Sequence, residues 1–239
     1  MRVTFRCPPA LLGRLPPPVA ARKALPDWLR AMPASAFSET HGLDVRTVKQ
    51  CPPFVDAMAH GFIMPLPCDV TMRDGRLSWD WDLPPLSIGM HPRSPVSFHV
   101  PAQVTGTPFH DARSAIVKFN SFWTVELEPG YSLFATHPVN RADLPFRLLS
   151  GLVDADRFND VGILFPAVWI DPAFSGTLGA GTPIAQCFPV RREELEMEIG
   201  VFSEEKAGAY GKTAGELLAK TGVYRRRYRA RRGRSAGER

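Results

Sequence analysis

Proline limits this chain more than any other residue. It occupies 24 of 239 positions. A proline gives no N–H to a sheet ladder and breaks a helix interior, so this content favours short strands, sheet edges and ordered loops over long helices. Pro8, Pro9, Pro16, Pro17 and Pro18 keep residues 1–35 out of regular helix. That segment reads as an irregular, proline-rich N-terminal arm. One short helix fits over residues 26–32, with proline at its start, and Trp28 and Leu29 would pack on the body.

Downstream, apolar residues recur in short blocks separated by turn signals. Cys51-Pro52-Pro53-Phe54-Val55-Asp56-Ala57-Met58-Ala59-His60-Gly61 predicts a helix that starts on proline, stops at Gly61 and buries Phe54, Val55 and Met58. Residues 62–72 predict a strand of edge character because of its prolines. Arg73-Asp74-Gly75-Arg76 predicts a hairpin turn, and the return strand over residues 77–82 places Leu77, Trp79 and Trp81 on one face. Further strands are predicted over residues 97–104, 115–119, 124–127, 131–136, 144–152, 161–170 and 183–190, with Glu128-Pro129-Gly130 as a type II turn. Residues 193–202 are ambiguous between strand and helix. Ser203 then caps a helix that runs to about residue 220 and stops at Gly222. This pattern implies a mainly β fold, a single barrel or a β-clip/sandwich-like domain over residues 36–202. A C-terminal helix and arginine-rich tail fill residues 203–239.

The strongest patterning lies in residues 129–192. Gly151-Leu152-Val153-Asp154-Ala155-Asp156-Arg157-Phe158 resembles the G-[VIL]-[VI]-D-x-D-[YF] segment of the trimeric dUTPase and dCTP-deaminase superfamily, with Arg157 inserted before the aromatic. Gly181-Thr182-Pro183-Ile184-Ala185-Gln186 resembles its later G-[DT]-x-[IV]-[AV]-Q strand, and Glu128-Pro129-Gly130-Tyr131 sits where it has a proline-glycine turn. The resemblance covers residues 115–192. It implies a β-clip, with Asp154 matching the carboxylate that orients an attacking water, Phe158 the aromatic that stacks on deoxyribose, and Gln186 the superfamily's glutamine. The arginine-serine phosphate motif is replaced by Thr136-His137-Pro138-Val139-Asn140-Arg141, and an arginine tail stands where a glycine-rich motif would be. The whole chain also resembles an uncharacterised family of bacterial and phage proteins, through its CPPF-D-A and K-F-x-x-W…P-G-Y-S segments.

On residues alone, Asp154 and Asp156 lie two apart and would share one side of an extended segment. They are the candidate catalytic pair, able to orient a water or hold magnesium with substrate phosphates; the alternative is that they cap a turn. Phe158, Arg141, Arg147 and Gln186 are the candidate ligand-binding residues, and a nucleotide-like or phosphorylated small molecule is the expected class. The six histidines (41, 60, 91, 99, 110 and 137) show neither H-x-H nor H-x-[DE], so no metal ligand is assigned. A metal-dependent oxygenase on a jelly roll stays open only through distant convergence. Cys51 stands at a helix start, where a thiolate is favoured, or is a small buried cysteine. Trp79, Trp81, Phe119, Phe122 and Trp123 line a pocket or, on alternating strands, form core.

The formal charge of +5 is local. Residues 224–239 hold eight arginines against Glu238, a balance of +7 that leaves the body at −2. Arg225, Arg226, Arg227 and Arg229, interleaved with Tyr224 and Tyr228, have the composition of a nucleic-acid contact or of a solvated terminus. A third reading is therefore a structural or interaction protein, phage-related, using its β fold for assembly and its tail for nucleic acid. Four cysteines without a C-x-x-C pair, no apolar leader and no apolar run of membrane length point to a reduced, cytoplasmic protein without a membrane span, in which a homo-oligomer is allowed.

Overall fold

A computed structural model describes residues 1–81, 92–111 and 116–230. The chain divides into two compact units. One joins Met1–Met32 to Val55–Arg192; the other joins Pro33–Phe54 to Glu193–Arg239.

Sixteen strands are present among the described residues. In chain order they are β1 (Val3–Arg6), β2 (Val19–Ala20), β3 (Ser35–Ser38), β4 (Leu43–Arg46), β5 (Phe62–Pro65), β6 (Val70–Arg73), β7 (Arg76–Trp79) and β8 (Val96–His99), then β9 (Ile116–Asn120), β10 (Thr124–Leu127), β11 (Tyr131–Thr136), β12 (Phe146–Leu148), β13 (Gly151–Val153), β14 (Leu164–Trp169), β15 (Gly176–Leu178) and β16 (Pro183–Arg191). The α-helices are α1 (Asp27–Ala31), α2 (Pro52–Ala59) and α3 (Glu204–Ala219). Every strand pairing among the described residues is antiparallel.

The larger unit is built on a five-stranded sheet, β13-β11-β16-β5-β2, and a four-stranded sheet, β12-β14-β9-β8. Leu133, Ala135, Ile184 and Cys187 from the first share one apolar core with Phe119, Phe146, Phe165 and Ala167 from the second. The rings of Phe119 and Phe146 lie 4.8 Å apart. The fold is thus mainly β, as the pattern implied, but among the described residues the sheets are separate and open and close no barrel.

The N-terminal segment differs from the irregular arm expected. β1 pairs with β10 and β2 with β5. Leu11 and Leu15 are buried with Phe122 in a second small core, and the Trp123 indole donates to the carbonyl of Pro16 at 3.0 Å. The prolines forbid helix but leave two short strands free to pair. Residues 62–72 form two strands, and β5 lies inside its sheet, fully buried between β16 and β2. Pro65 ends that strand and needs no ladder hydrogen bond there. The expected strand over residues 97–104 holds only to His99, because Pro101 turns the chain into a 3-10 helix, Pro101–Val104.

Other turns follow the sequence closely. Asp74 and Gly75 both have positive φ (51° and 71°), the geometry a two-residue hairpin of this twist requires. Leu77, Trp79 and Trp81 pack against the main core, and Phe119, Phe122 and Trp123 are core as well. Asp82 and His91 lie outside the described residues. Ser203 caps α3, its hydroxyl accepting from the Lys206 amide at 3.2 Å. Residues 193–202 form neither strand nor helix and are exposed. No helix among those residues is long and apolar enough to cross a membrane.

Candidate functional site

The register of the central sheet explains what becomes of the two aspartates. β11 pairs on one side with β13, Leu133 facing Val153, and on the other with β16, Ser132 facing Val190. Asp154 therefore leaves β13 beside Ser132, and Arg192 leaves β16 beside Gly130. The Arg192 amide donates to the Gly130 carbonyl at 2.9 Å and holds that alignment.

The Arg192 side chain fills the space between the carboxylates. Its Nη1 donates to Asp156 Oδ1 at 2.8 Å, to Asp154 Oδ1 at 3.3 Å, to Ser132 Oγ at 3.2 Å and to the Tyr131 carbonyl at 3.1 Å. Its Nη2 donates to Asp156 Oδ2. Ser132 Oγ donates to Asp154 Oδ1 at 2.6 Å, and the Gly130 amide to Asp156 Oδ2 at 2.9 Å. Asp156 is 6% exposed and Asp154 56%. The hydrogen bonds from Arg192 and then Gly130 hold the Asp156 carboxyl well below the usual carboxylate range.

This cluster ties two turns together. Asp156 braces the Pro129-Gly130 turn while the Asp154 carbonyl accepts from the amides of Arg157 and Phe158 at 2.9 and 2.8 Å. Both carboxylates face a fixed guanidinium, so a divalent cation would have to displace Arg192. No group of three histidine, cysteine or acidic side chains among the described residues is placed to hold a metal. What remains open chemically is Asp154 Oδ2, which has no protein partner among the described residues, and the exposed ring of Phe158, 53% accessible.

The other expected ligand residues lie elsewhere. Arg141 follows the far end of β11. Asp154 sits beside Ser132, four residues before that end, or about 13 Å away at strand rise. Arg141 forks onto Asp143, with Nε and Nη2 each at 2.8 Å from a carboxylate oxygen. Partial burial pushes the Asp143 carboxyl up, but Arg141 and the Trp28 indole outweigh it and hold it low. Arg141, Asp143, Trp28 and Arg30 line a recess of about 520 Å³. Arg147 is exposed on β12, without an ion-pair partner among the described residues.

Gln186 is 1% exposed and fully engaged. Its Oε1 accepts from the Val139 amide at 2.9 Å, and its Nε2 donates to the carbonyls of Ala57, Met58 and His60 at 2.9, 3.3 and 2.7 Å. It caps the C-terminus of α2, where the last carbonyls lack helical partners. His137 is similar: Nε2 donates to the Arg141 carbonyl at 2.8 Å, and Nδ1 accepts from the Leu148 amide at 3.3 Å. Burial lowers its pKa and keeps it neutral, despite the Arg141 carbonyl that favours charge.

The tail arginines begin just past Gly222. Arg227 pairs with Glu216 of α3. Arg226 Nη2 donates to the Thr221 carbonyl at 2.7 Å. Arg225 and Arg229 are exposed; Arg231, Arg232, Arg234 and Arg239 lie outside the described residues. The four cysteines are free thiols. Cys51 is exposed at the start of α2. Cys187 is buried, and burial pushes its pKa far up.

Sequence reading missed Arg192 and Ser132. The signal for them lay in the pairing of the strands predicted at residues 131–136 and 183–190: antiparallel with Tyr131 opposite Arg191, they bring residue 192 opposite residue 130. Compared with known protein families and with curated proteins, the sequence finds no match in either.

Proposed function

We propose that this protein is an interaction protein that assembles with further copies of itself, the exposed arm of residues 193–202 being the assembling element. The observation that carries this reading is the arm's exposure. Leu195, Met197, Ile199 and Val201 are 85%, 87%, 99% and 98% exposed. They alternate with Glu194, Glu196, Glu198 and Gly200, a pattern that on pairing as a strand would put the apolar side chains on one face and the acidic ones on the other. A segment of this alternating pattern with its apolar side chains unburied fits addition as a strand to a sheet edge.

A second copy supplies such an edge. β13 ends the five-stranded sheet. Leu152 and Phe134, which faces it across the pair, are 63% and 38% exposed, and Arg147 and Arg157, four residues before and after β13 in sequence, are exposed cations opposite in charge to the arm's glutamates. Burying four arm side chains is worth about 6–12 kcal/mol at about 1.5–3 kcal/mol each. Association costs ~4–15 kcal/mol. With the two so nearly balanced, one charged substitution in the arm is enough to dissociate the assembly. Light scattering on the eluting full chain tests it. The wild type is expected at a multiple of 26.5 kDa and Ile199→Asp at the monomer mass. A monomeric wild type at every concentration would remove the reading.

The nucleotide-like ligand implied by the dUTPase resemblance keeps one supporting observation: Arg141 and Trp28 share a recess, offering a cation and an aromatic face. A thermal-shift screen with nucleotides, with and without magnesium, tests it. A ligand that binds only the folded chain raises the melting temperature, and no shift with any nucleotide removes it.

A further inference from the structure

The smaller unit holds a cluster of cations that no ion pair explains. Arg46 ends β4 and Arg226 lies in the tail, yet both reach the turn at Thr221-Gly222. Arg46 Nη2 donates to Thr221 Oγ1 at 3.2 Å, and Arg226 Nη2 to the Thr221 carbonyl at 2.7 Å. Gly222 has a φ of +74°, and a Cβ on it would lie 3.2 Å from Arg226 Nη1 and 3.5 Å from Arg46 Nη1. Two guanidinium groups thus converge on one point. Beside them is a recess of about 280 Å³ lined by Arg46, Gln50, Lys220, Tyr224 and Arg225. Glu216, the acid of the last helical turn, is taken by Arg227. Among the described residues neither Arg46 nor Arg226 meets a carboxylate.

Like charges brought this close repel. The fold holds them by spending one nitrogen of each on Thr221, which leaves Nη1 and Nε of both free to donate. That is the donor set a phosphate group takes, since planar guanidinium forks match its oxygens and the anion cancels the repulsion. Tyr224 and Tyr228, 41% and 51% exposed, bracket Arg225, Arg226 and Arg227 in sequence. Aromatic faces beside a cationic recess suit unpaired bases, which stack where duplex bases cannot.

We propose that Arg46, Lys220, Arg225 and Arg226 form a phosphate-binding site for single-stranded nucleic acid, with Tyr224 as its stacking face. The site differs from a merely basic tail in one decisive respect: Arg46 is far from the tail in sequence. Fluorescence anisotropy of the full chain with labelled oligo-dT, titrated across salt concentrations, tests this. Wild type is expected to bind oligo-dT more tightly than the same length of duplex, with log affinity falling linearly in log salt. Arg46→Gln is expected to weaken binding and reduce that slope by about 0.7, the value of one lost single-strand phosphate contact. Tyr224→Ala should weaken binding with the slope unchanged. An unchanged thermal melt shows that each variant is folded; a variant that melts early is replaced by Arg46→Lys, which keeps charge but loses the fork and should also bind more weakly. An unaltered affinity and slope in Arg46→Gln would overturn the site, as would binding to phosphatidylserine vesicles in the absence of any binding to oligo-dT.

Discussion

Replacing Gln186 with leucine separates a ligand-binding residue from a structural one. Leucine preserves most of the volume, so the substitution leaves little cavity and isolates the hydrogen bonds. Four backbone groups lose their partner: the Val139 amide and the carbonyls of Ala57, Met58 and His60. A stranded buried polar group costs about 1–3 kcal/mol. Ala57 and His60 are exposed residues whose carbonyls water can reach. The Val139 amide and the Met58 carbonyl are the secure losses, giving a destabilisation of about 2–6 kcal/mol. Urea unfolding measures it as a lower midpoint at unchanged slope. Gln186→Glu is the companion variant. An ionised carboxylate cannot donate to three carbonyls, and it places negative charge at a helix C-terminus, the wrong end for it. It should therefore be at least as unstable as leucine at neutral pH and recover in acid, where protonation restores one donor. A loss below about 1 kcal/mol in Gln186→Leu, under the cost of even one stranded group, would refute the capping role and return Gln186 to the pool of ligand contacts.

Four further outcomes follow from the geometry. Gly61 has a φ of +70°, and a Cβ there would sit 2.1 Å from the Cys187 carbonyl oxygen; Gly61→Ala should abolish the folded state by circular dichroism. Gly13→Ala, at a φ of +78° with nothing within 4 Å, should cost only the left-handed strain of about 1–2 kcal/mol. Asp156 titrates lower folded than unfolded, so its stabilisation is present above the unfolded value near 3.9 and is lost as pH falls through the folded one; acid unfolding of Asp156→Asn should show a shallower limb than wild type. His137 also titrates lower folded than unfolded, but as a base. The unfolded chain takes up the proton first, so stability is full above about pH 6.5 and declines below it. His137→Gln should remove that decline in a pH series of urea midpoints.

Local chemistry was legible in the sequence wherever one residue decides a conformation. Gly61, Gly75, Gly130 and Ser203 each stop, turn or start an element where their backbone freedom or side-chain oxygen demands it. What could not be read was anything set by pairing partners distant in sequence. Proline in residues 62–72 looked like an edge signal, yet β5 is interior, because β16 and β2 approach it from positions more than 40 residues away on either side. The same limit governed the aspartates. Their spacing told of two carboxylates on one side of a segment, and nothing local could announce that Arg192 would neutralise them. Arg46 shows the converse. An isolated arginine at the end of a hairpin carries no signal by itself, and it becomes part of a cationic cluster only when the chain returns at Thr221. Sites in this protein are therefore properties of register rather than of motif. What a residue's charge does is decided by what the facing strand or returning turn brings to it: Arg192 finds two acids and becomes a brace, while Arg46 and Arg226 find each other and are left needing an anion.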